Sequence, residues 1–211
     1  MDGHPDWEVI ESGPRDLERV GAALTAAFAD DPFVTWLLGG KSRYQRRART
    51  FYRALIGRSV RNGWTDLLVP TGSGPDAEAV GVAVWHPPGV RTTLSDHLAT
   101  TPDLFRAFGS RLLLAALVEA RTAKYNPGEP HWYLGFAGVV PGAAGQGLGS
   151  TLLEKGLERA DSQGHPVHLE SSNPRNIPFY ERLGFVRGDT IRVLPGAPEE
   201  TTMSRRAGRD R

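Results

Sequence analysis

The sequence predicts a single α/β domain, of the α+β kind, built on a mixed, mostly antiparallel sheet with flanking helices. Three observations predict it. At 211 residues the chain is long enough for one sizeable core and short for two. Segments with strand-like alternation interleave with segments of helical spacing along its length. Two early strands are joined only by Pro70 to Ala77, rich in Pro, Gly and Asp, and that hairpin spacing makes them antiparallel. No repeat at a period of roughly 20–50 residues is visible, which excludes solenoids and propellers. One domain is expected over residues 1–211, with a helical insertion over 91–130 and a frayed tail over 206–211.

Each element follows from local chemistry. Trp7 to Glu11 reads as a first strand, and Gly13-Pro14 as the turn before a helix carried by Leu17, Val20, Ala23-Leu24 and Ala27-Phe28. Asp30-Asp31-Pro32 stops that helix, because proline biases the preceding residue out of the helical region. Phe33 to Leu38 is apolar without a clear period. Ser42 is placed to cap a long helix that runs to Asn62 and ends at Gly63. Trp64 to Val69 and Ala79 to Trp85 form the hairpin. Helices are expected over Ser95 to Thr100 and Pro102 to Tyr125, then a strand from His131 to Val140 and a glycine-rich turn from Gly142 to Gly149. A helix over Ser150 to Asp161, a strand over Val167 to Ser171 and a short helix over Ile177 to Leu183 follow, with Pro178 tolerated in its first turn. Val186 to Val193 and Thr201 to Arg205 read as closing strands.

Composition removes several function classes. With 25 Lys+Arg against 24 Asp+Glu the net charge is +1, which gives no general attraction to nucleic acid or to a membrane surface. Without cysteine there is no disulfide framework, thiolate nucleophile or Cys-ligated metal, and no His or HExxH spacing suits a metal. The start, Met1-Asp2-Gly3-His4-Pro5-Asp6, lacks the basic and apolar regions of a signal peptide. The longest aliphatic run, Leu112 to Val118, falls far short of the roughly 20 residues of a membrane span. A cytoplasmic protein, monomer or homodimer, is expected. Basic residues on the helix after Ser42 interleave with Tyr44, Phe51 and Tyr52, so they read as a solvated face. The preference for Arg over Lys, 22 to 3, suits a G+C-rich bacterial genome.

The sharpest motif is Val139-Val140-Pro141-Gly142-Ala143-Ala144-Gly145-Gln146-Gly147-Leu148-Gly149-Ser150, set between a strand and a helix. Glycines there let consecutive backbone N–H groups converge on an anion at a helix N-terminus. It is not a Walker A loop, since Leu148 stands where Lys is required. Nor is it a dinucleotide fingerprint, since the glycines run G-x-G-x-G. The second motif is Glu170-Ser171-Ser172-Asn173-Pro174-Arg175-Asn176-Ile177-Pro178-Phe179-Tyr180-Glu181-Arg182-Leu183-Gly184-Phe185, which places a tyrosine on a short helix directly after a strand. In that strand Val167, Leu169 and Ser171 share one face, so His168 and Glu170 share the other.

Together these two stretches resemble the GNAT superfamily of N-acetyltransferases, with a specific match from Trp132 to Arg205. Within it the resemblance extends to the puromycin N-acetyltransferases through Ala26 to Asp30, Val82 to Trp85 and the two motifs. The resemblance implies acetyl-CoA as co-substrate and central strands that splay to admit its pantetheine arm. It implies contacts from Val139, Val140, Ala144, Gly145, Gln146, Gly147, Leu148, Gly149 and Ser150, with Asn173 and Asn176 either reaching the pantetheine amides or capping their turn. Ala144 stands where the family usually has Arg or Gln, so anion binding there would rest on backbone N–H groups. Tyr180 is implied as the acid for the leaving thiolate and Glu170 is the candidate base, with His131 and His86 as rivals. Trp85, His86 and His131 are expected around a small-molecule amine, an antibiotic or aminonucleoside among the candidates. A protein Lys or N-terminal acetyltransferase, and a non-catalytic acyl-CoA sensor, are the alternatives.

Overall fold

A computed structural model describes residues 6–74, 76–89 and 102–208. The helix expected over Ser95 to Thr100 lies outside the described residues. The chain opens with β1 (Trp7–Glu11), α1 (Leu17–Ala27), α2 (Pro32–Leu37) and α3 (Lys41–Asn62), then the hairpin β2 (Trp64–Pro70) and β3 (Gly81–His86). Helices α4 (102–108) and α5 (Leu112–Thr122) precede β4 (Trp132–Val139), α6 (Leu148–Ser162) and β5 (Val167–Ser171). The chain closes with α7 (Ile177–Arg182), β6 (Val186–Ile191) and β7 (Glu200–Arg205). Among the described residues no helix is long and apolar enough to cross a membrane.

The helix expected over Pro102 to Tyr125 is broken by a 3-10 turn at Gly109–Arg111, and several strand ends shift by a residue or two; three further differences have a clear local reason. The apolar stretch after Pro32 is a helix because the Asp31 carboxylate accepts the Val34 N–H at 2.8 Å and proline occupies its first turn. Ser42 is not the cap of α3: the helix begins at Lys41, and the Gly40 carbonyl accepts the N–H groups of Arg43 and Tyr44. Helix α6 begins at Leu148, ahead of the expected Ser150, because Gly147 with φ of 77° serves as its N-cap.

One seven-stranded sheet runs in the order β1-β2-β3-β4-β5-β7-β6. Every neighbouring pair is antiparallel except β4 and β5, which the α6 crossover makes parallel. Those two strands pair only at Trp132↔Val167 and Tyr133↔His168, although β4 continues to Val139 and β5 to Ser171. Beyond the second pair they splay apart.

Strand alternation sorts the core onto the two sheet faces. Leu67, Val69, Val82 and Val84 pack with α1, α2 and α3, whereas Leu68, Ala83 and Trp85 pack with α6. This parity corrects the expectation for Trp85. It is fully buried, and a Cβ added to Gly156 of α6 would lie 2.3 Å from its ring. Trp85 is therefore a core residue that α6 accommodates by carrying glycine, and it lines no acceptor pocket.

Candidate active site at the β4–β5 splay

A cleft of about 500 Å³ opens where β4, the glycine loop, α6 and α7 converge. Its floor is the end of β4. The Val140 N–H donates to the Val80 carbonyl at 2.8 Å, and the Val140 carbonyl accepts the Ala143 N–H at 2.9 Å. Both backbone groups of Val140 are thus taken and the residue does not line the cleft, contrary to expectation. Alternation along the strand then turns the Val139 N–H the other way, toward the splay. Gly138 on the same strand lets the end of α1 come close: a Cβ there would stand 2.8 Å from Ala27 Cβ.

The glycine loop lines the same cleft through Ala144, Gly145, Gly147, Leu148, Gly149 and Ser150. Gly145 and Gly147 hold left-handed φ of 82° and 77°, with no heavy atom within 4 Å of an added Cβ. Open space above left-handed glycines at the start of a 15-residue helix is the arrangement that accepts phosphate, since unpaired N–H groups and the helix dipole both favour negative charge. Gln146 is exposed and lies outside the cleft, which corrects its expected contact: between two left-handed glycines its side chain leaves the loop on the solvent side. Gly149 lets Phe179 of α7 pack on α6, its added Cβ falling 3.2 Å from that ring. Arg182, at the end of α7, adds a cation to the wall. Nothing in the local pattern distinguishes it from other surface arginines.

Both asparagines line the cleft but differ in their bonds. Asn173 caps the turn after β5, its side chain accepting the Arg175 N–H at 3.1 Å. Asn176 precedes α7 without a side-chain cap bond and lines the cleft, so its amide is available to a ligand. Tyr180 also lines it, buried between the rings of Phe179 and Phe185 at 5.1 and 5.7 Å. Burial, and secondarily the Asp31 carboxylate, push the Tyr180 hydroxyl up to about 12, so it is a proton donor throughout the neutral range.

A second cavity, about 890 Å³, lies on the far side of the splay. Glu170 stands in it, as strand parity predicts. Its carboxylate accepts the Tyr133 hydroxyl at 2.7 Å and lies 3.1 Å from Nε2 of His168, whose other ring nitrogen is 2.9 Å from Ser204 Oγ. Burial, then the Glu170 charge, push the Tyr133 hydroxyl far above its ordinary value. His86 lies across Tyr133 with ring centroids 5.9 Å apart. His131 lines the rim, its Nδ1 2.8 Å from the Glu129 carbonyl. The structure thus brings Glu170, His86 and His131 together and leaves Trp85 on the opposite face. It adds Tyr133 and Glu200, which spacing along the chain does not single out.

The two spaces are neighbours. Phe28 lines both. Asp31, on the smaller cleft, accepts a 2.5 Å hydrogen bond from the Ser172 hydroxyl, on the larger cavity. Burial raises the Asp31 carboxyl despite that bond and the two backbone N–H groups it accepts.

Comparison with known proteins agrees with this geometry. The model of the Acetyltransferase (GNAT) family matches residues 76–185, from the β2–β3 turn to the end of the Tyr180 motif. An uncharacterised N-acetyltransferase of the fission yeast Schizosaccharomyces pombe is 24% identical over 195 residues, covering 84% of this chain and 73% of that protein. A solved structure from Corynebacterium glutamicum, described as histone acetyltransferase HPA2 and related acetyltransferase, superposes with a TM-score of 0.73 at 25% identity over 97% of this chain and 98% of that one. Arylalkylamine N-acetyltransferase 2 of Aedes aegypti shares the fold, with a TM-score of 0.63 at 15% identity over 96% and 100% of the two chains.

Proposed function

The chain belongs to the Acetyltransferase (GNAT) family and is an N-acetyltransferase; from that premise we propose that it transfers an acetyl group directly from acetyl-CoA to a small-molecule primary amine, both bound at once. One observation carries this reading: the glycine-loop cleft and the carboxylate-lined cavity are neighbours at the splay, with Phe28 lining both. A donor and an acceptor bound in the two spaces would face each other without an intermediate carrier. The cavity volume of about 890 Å³ sits within the usual range for small-molecule sites, which favours a small amine over a protein segment. Residues 1–211 are read as one N-acetyltransferase domain, and an antibiotic-type amine such as an aminonucleoside is one member of the acceptor class.

Roles follow from placement. The amides of Gly145, Gly147, Leu148 and Gly149, with Arg182, suit the pyrophosphate, and the Asn176 amide suits the pantetheine arm. The Val139 N–H suits the thioester carbonyl as negative charge develops there, a contribution of about 3 kcal/mol for a donor of this kind. Glu170 takes a proton from the attacking nitrogen, held in position by Tyr133 and His168. The C–N bond forms, the C–S bond breaks, and the Tyr180 hydroxyl supplies the proton that the thiolate accepts.

An acceptor panel with a colour reagent for released thiol tests this. The purified protein and acetyl-CoA are offered arylalkylamines, aminonucleosides, aminoglycosides and peptides with a free amino terminus or lysine. Thiol release with one or more small amines is the expected result. Release with peptides alone would make the protein a protein acetyltransferase, and binding of acetyl-CoA without release from any acceptor would make it a sensor.

A further inference from the structure

Glu200 is the first residue of β7, and the mechanism above does not use it. Pairing of β5 with β7 sets Glu170 opposite Thr202. Paired residues share a sheet face, and so do residues two apart on a strand, so Glu170 and Glu200 project from the same face as diagonal neighbours. Glu200 lines the larger cavity, is 7% exposed, and has a buried Oε2 with no hydrogen-bond partner. A carboxylate oxygen left so is costly, and a fold that keeps one needs a reason. No Lys or Arg lies among the described residues lining this cavity. Phe28, Phe33, Leu37, Phe51, Leu55 and Phe136 give it an apolar wall, and Glu119 and Glu129 add two more carboxyl groups to its lining.

We propose that Glu200 receives the ammonium form of the acceptor beside Glu170, and that the acceptor is a primary alkylamine with one positive charge, an apolar body and no anionic group. This rests on the acyl-transfer reading above and specifies its substrate. The unpartnered oxygen supplies a site for a cationic N–H donor. The neighbouring carboxylates repel an acidic substrate. The phenyl and leucine walls take up an alkyl or aryl body by apolar burial and, for the aromatic rings, by attraction to the ammonium.

Glu170 and Asp31 act on Glu200 directly and Tyr133 is coupled to it, while His86, Glu119, Glu129, His131 and His165 share its cavity. Burial first, then Glu170 and Asp31, push its carboxyl up to about 8. The empty cavity therefore holds this group largely protonated at neutral pH. An arriving ammonium group favours the carboxylate form, so a proton leaves Glu200 for solvent as the amine binds.

The experiment compares three acceptors with the wild-type protein and with Glu200→Gln: an arylalkylamine, the same amine carrying an α-carboxylate, and an aromatic amine uncharged at neutral pH. Wild type should prefer the arylalkylamine to its carboxylated form by about 100-fold in kcat/KM, since like charges in a buried site repel strongly. Glu200→Gln should lower kcat/KM for the arylalkylamine by about 10-fold or more, mostly through KM, and leave the neutral amine within about twofold. Calorimetry at neutral pH in buffers of different ionisation enthalpy should count close to one proton released per amine bound by wild type, and none by the variant. A glutamate with a merely structural role would not move that count. Preference for the carboxylated amine, an equal loss on charged and neutral acceptors, or no proton release would overturn the proposal. Absence of thiol release with every amine would instead overturn the acyl-transfer reading beneath it. Should Glu200→Gln fail to fold, the wild-type preference and proton count still decide.

Discussion

The two halves of the site are built by opposite strategies. The glycine-loop cleft draws most of its lining from two short stretches, 143–153 and 173–182, and the first of them is rich in glycine. The larger cavity gathers its lining from the α1–α2 turn, α2, α3, β3, α5, the loop before β4, β4, β5 and β7. Backbone recognition demands left-handed turns and close approach, and those demands fall on glycine, which marks the sequence visibly. Side-chain recognition demands only that distant residues meet in three dimensions, which leaves no local signature. A site can thus advertise its common ligand and conceal its particular one.

This contrast can be broken at Gly147. Replacing it with Asp puts a Cβ on a residue with φ of 77° and a negative charge where phosphate is expected. Acetyl-CoA affinity should fall by about 100-fold or more by calorimetry on the folded variant, while an acceptor amine still binds. Equal affinity in the variant would remove the loop from the phosphate site. Tyr180→Phe keeps the buried ring and loses only the hydroxyl, so kcat should drop by about 100-fold with the KM for acetyl-CoA nearly unchanged. Near-wild-type turnover, with chemistry rate-limiting, would make Tyr180 a packing residue.

On the acceptor side, Glu200 predicts a pH effect on stability. Its carboxyl is raised from 4.5 to about 8, so the native state holds that proton more tightly than the unfolded chain does. The stability this contributes is complete below pH 4.5 and lost as pH rises to about 8. Glu200→Gln should therefore gain stability relative to wild type as pH rises through that window, by on the order of a few kcal/mol at its upper end. Thermal melts across the window that keep a constant difference would show that the carboxyl is not held this way. The smallest effect separates the two asparagines. Asn176→Ala should weaken acetyl-CoA binding by about tenfold without changing Tm, whereas Asn173→Ala should cost about 1 kcal/mol of stability through its lost cap. Exchange of those phenotypes between the two variants would reverse their assignment.

Legibility followed the same division. The sheet, its hairpin and the tyrosine helix were readable because period and turn chemistry are local, and Glu170 was placed on its face by parity alone. Trp85 was misjudged because a strand end beside Pro87-Pro88-Gly89 looks like a pocket rim, while the partner that buries it, Gly156, lies on a distant helix. Val140 and Gln146 sit inside the right motif, but one is consumed by a bond to Val80 and the other faces solvent. Glu200 depends on the β5–β7 register, which no spacing in the chain reveals. Arg182 depends on α7 folding back over the glycine loop.

The two residue pairs joining β4 to β5 have a mechanical meaning. Held at Trp132↔Val167 and Tyr133↔His168 alone, the sheet is two plates, β1 to β4 and β5 to β6, sharing one short seam. The second pair is also where the Tyr133 and His168 rings stack at 6.3 Å and where Tyr133 bonds Glu170. The seam and the chemistry therefore occupy the same residues. A molecule wedged into the open side and bonded to both edges would act as a clasp, tying together plates that the seam alone joins, and backbone amides along the free edge of β4 should then exchange with solvent more slowly than without it.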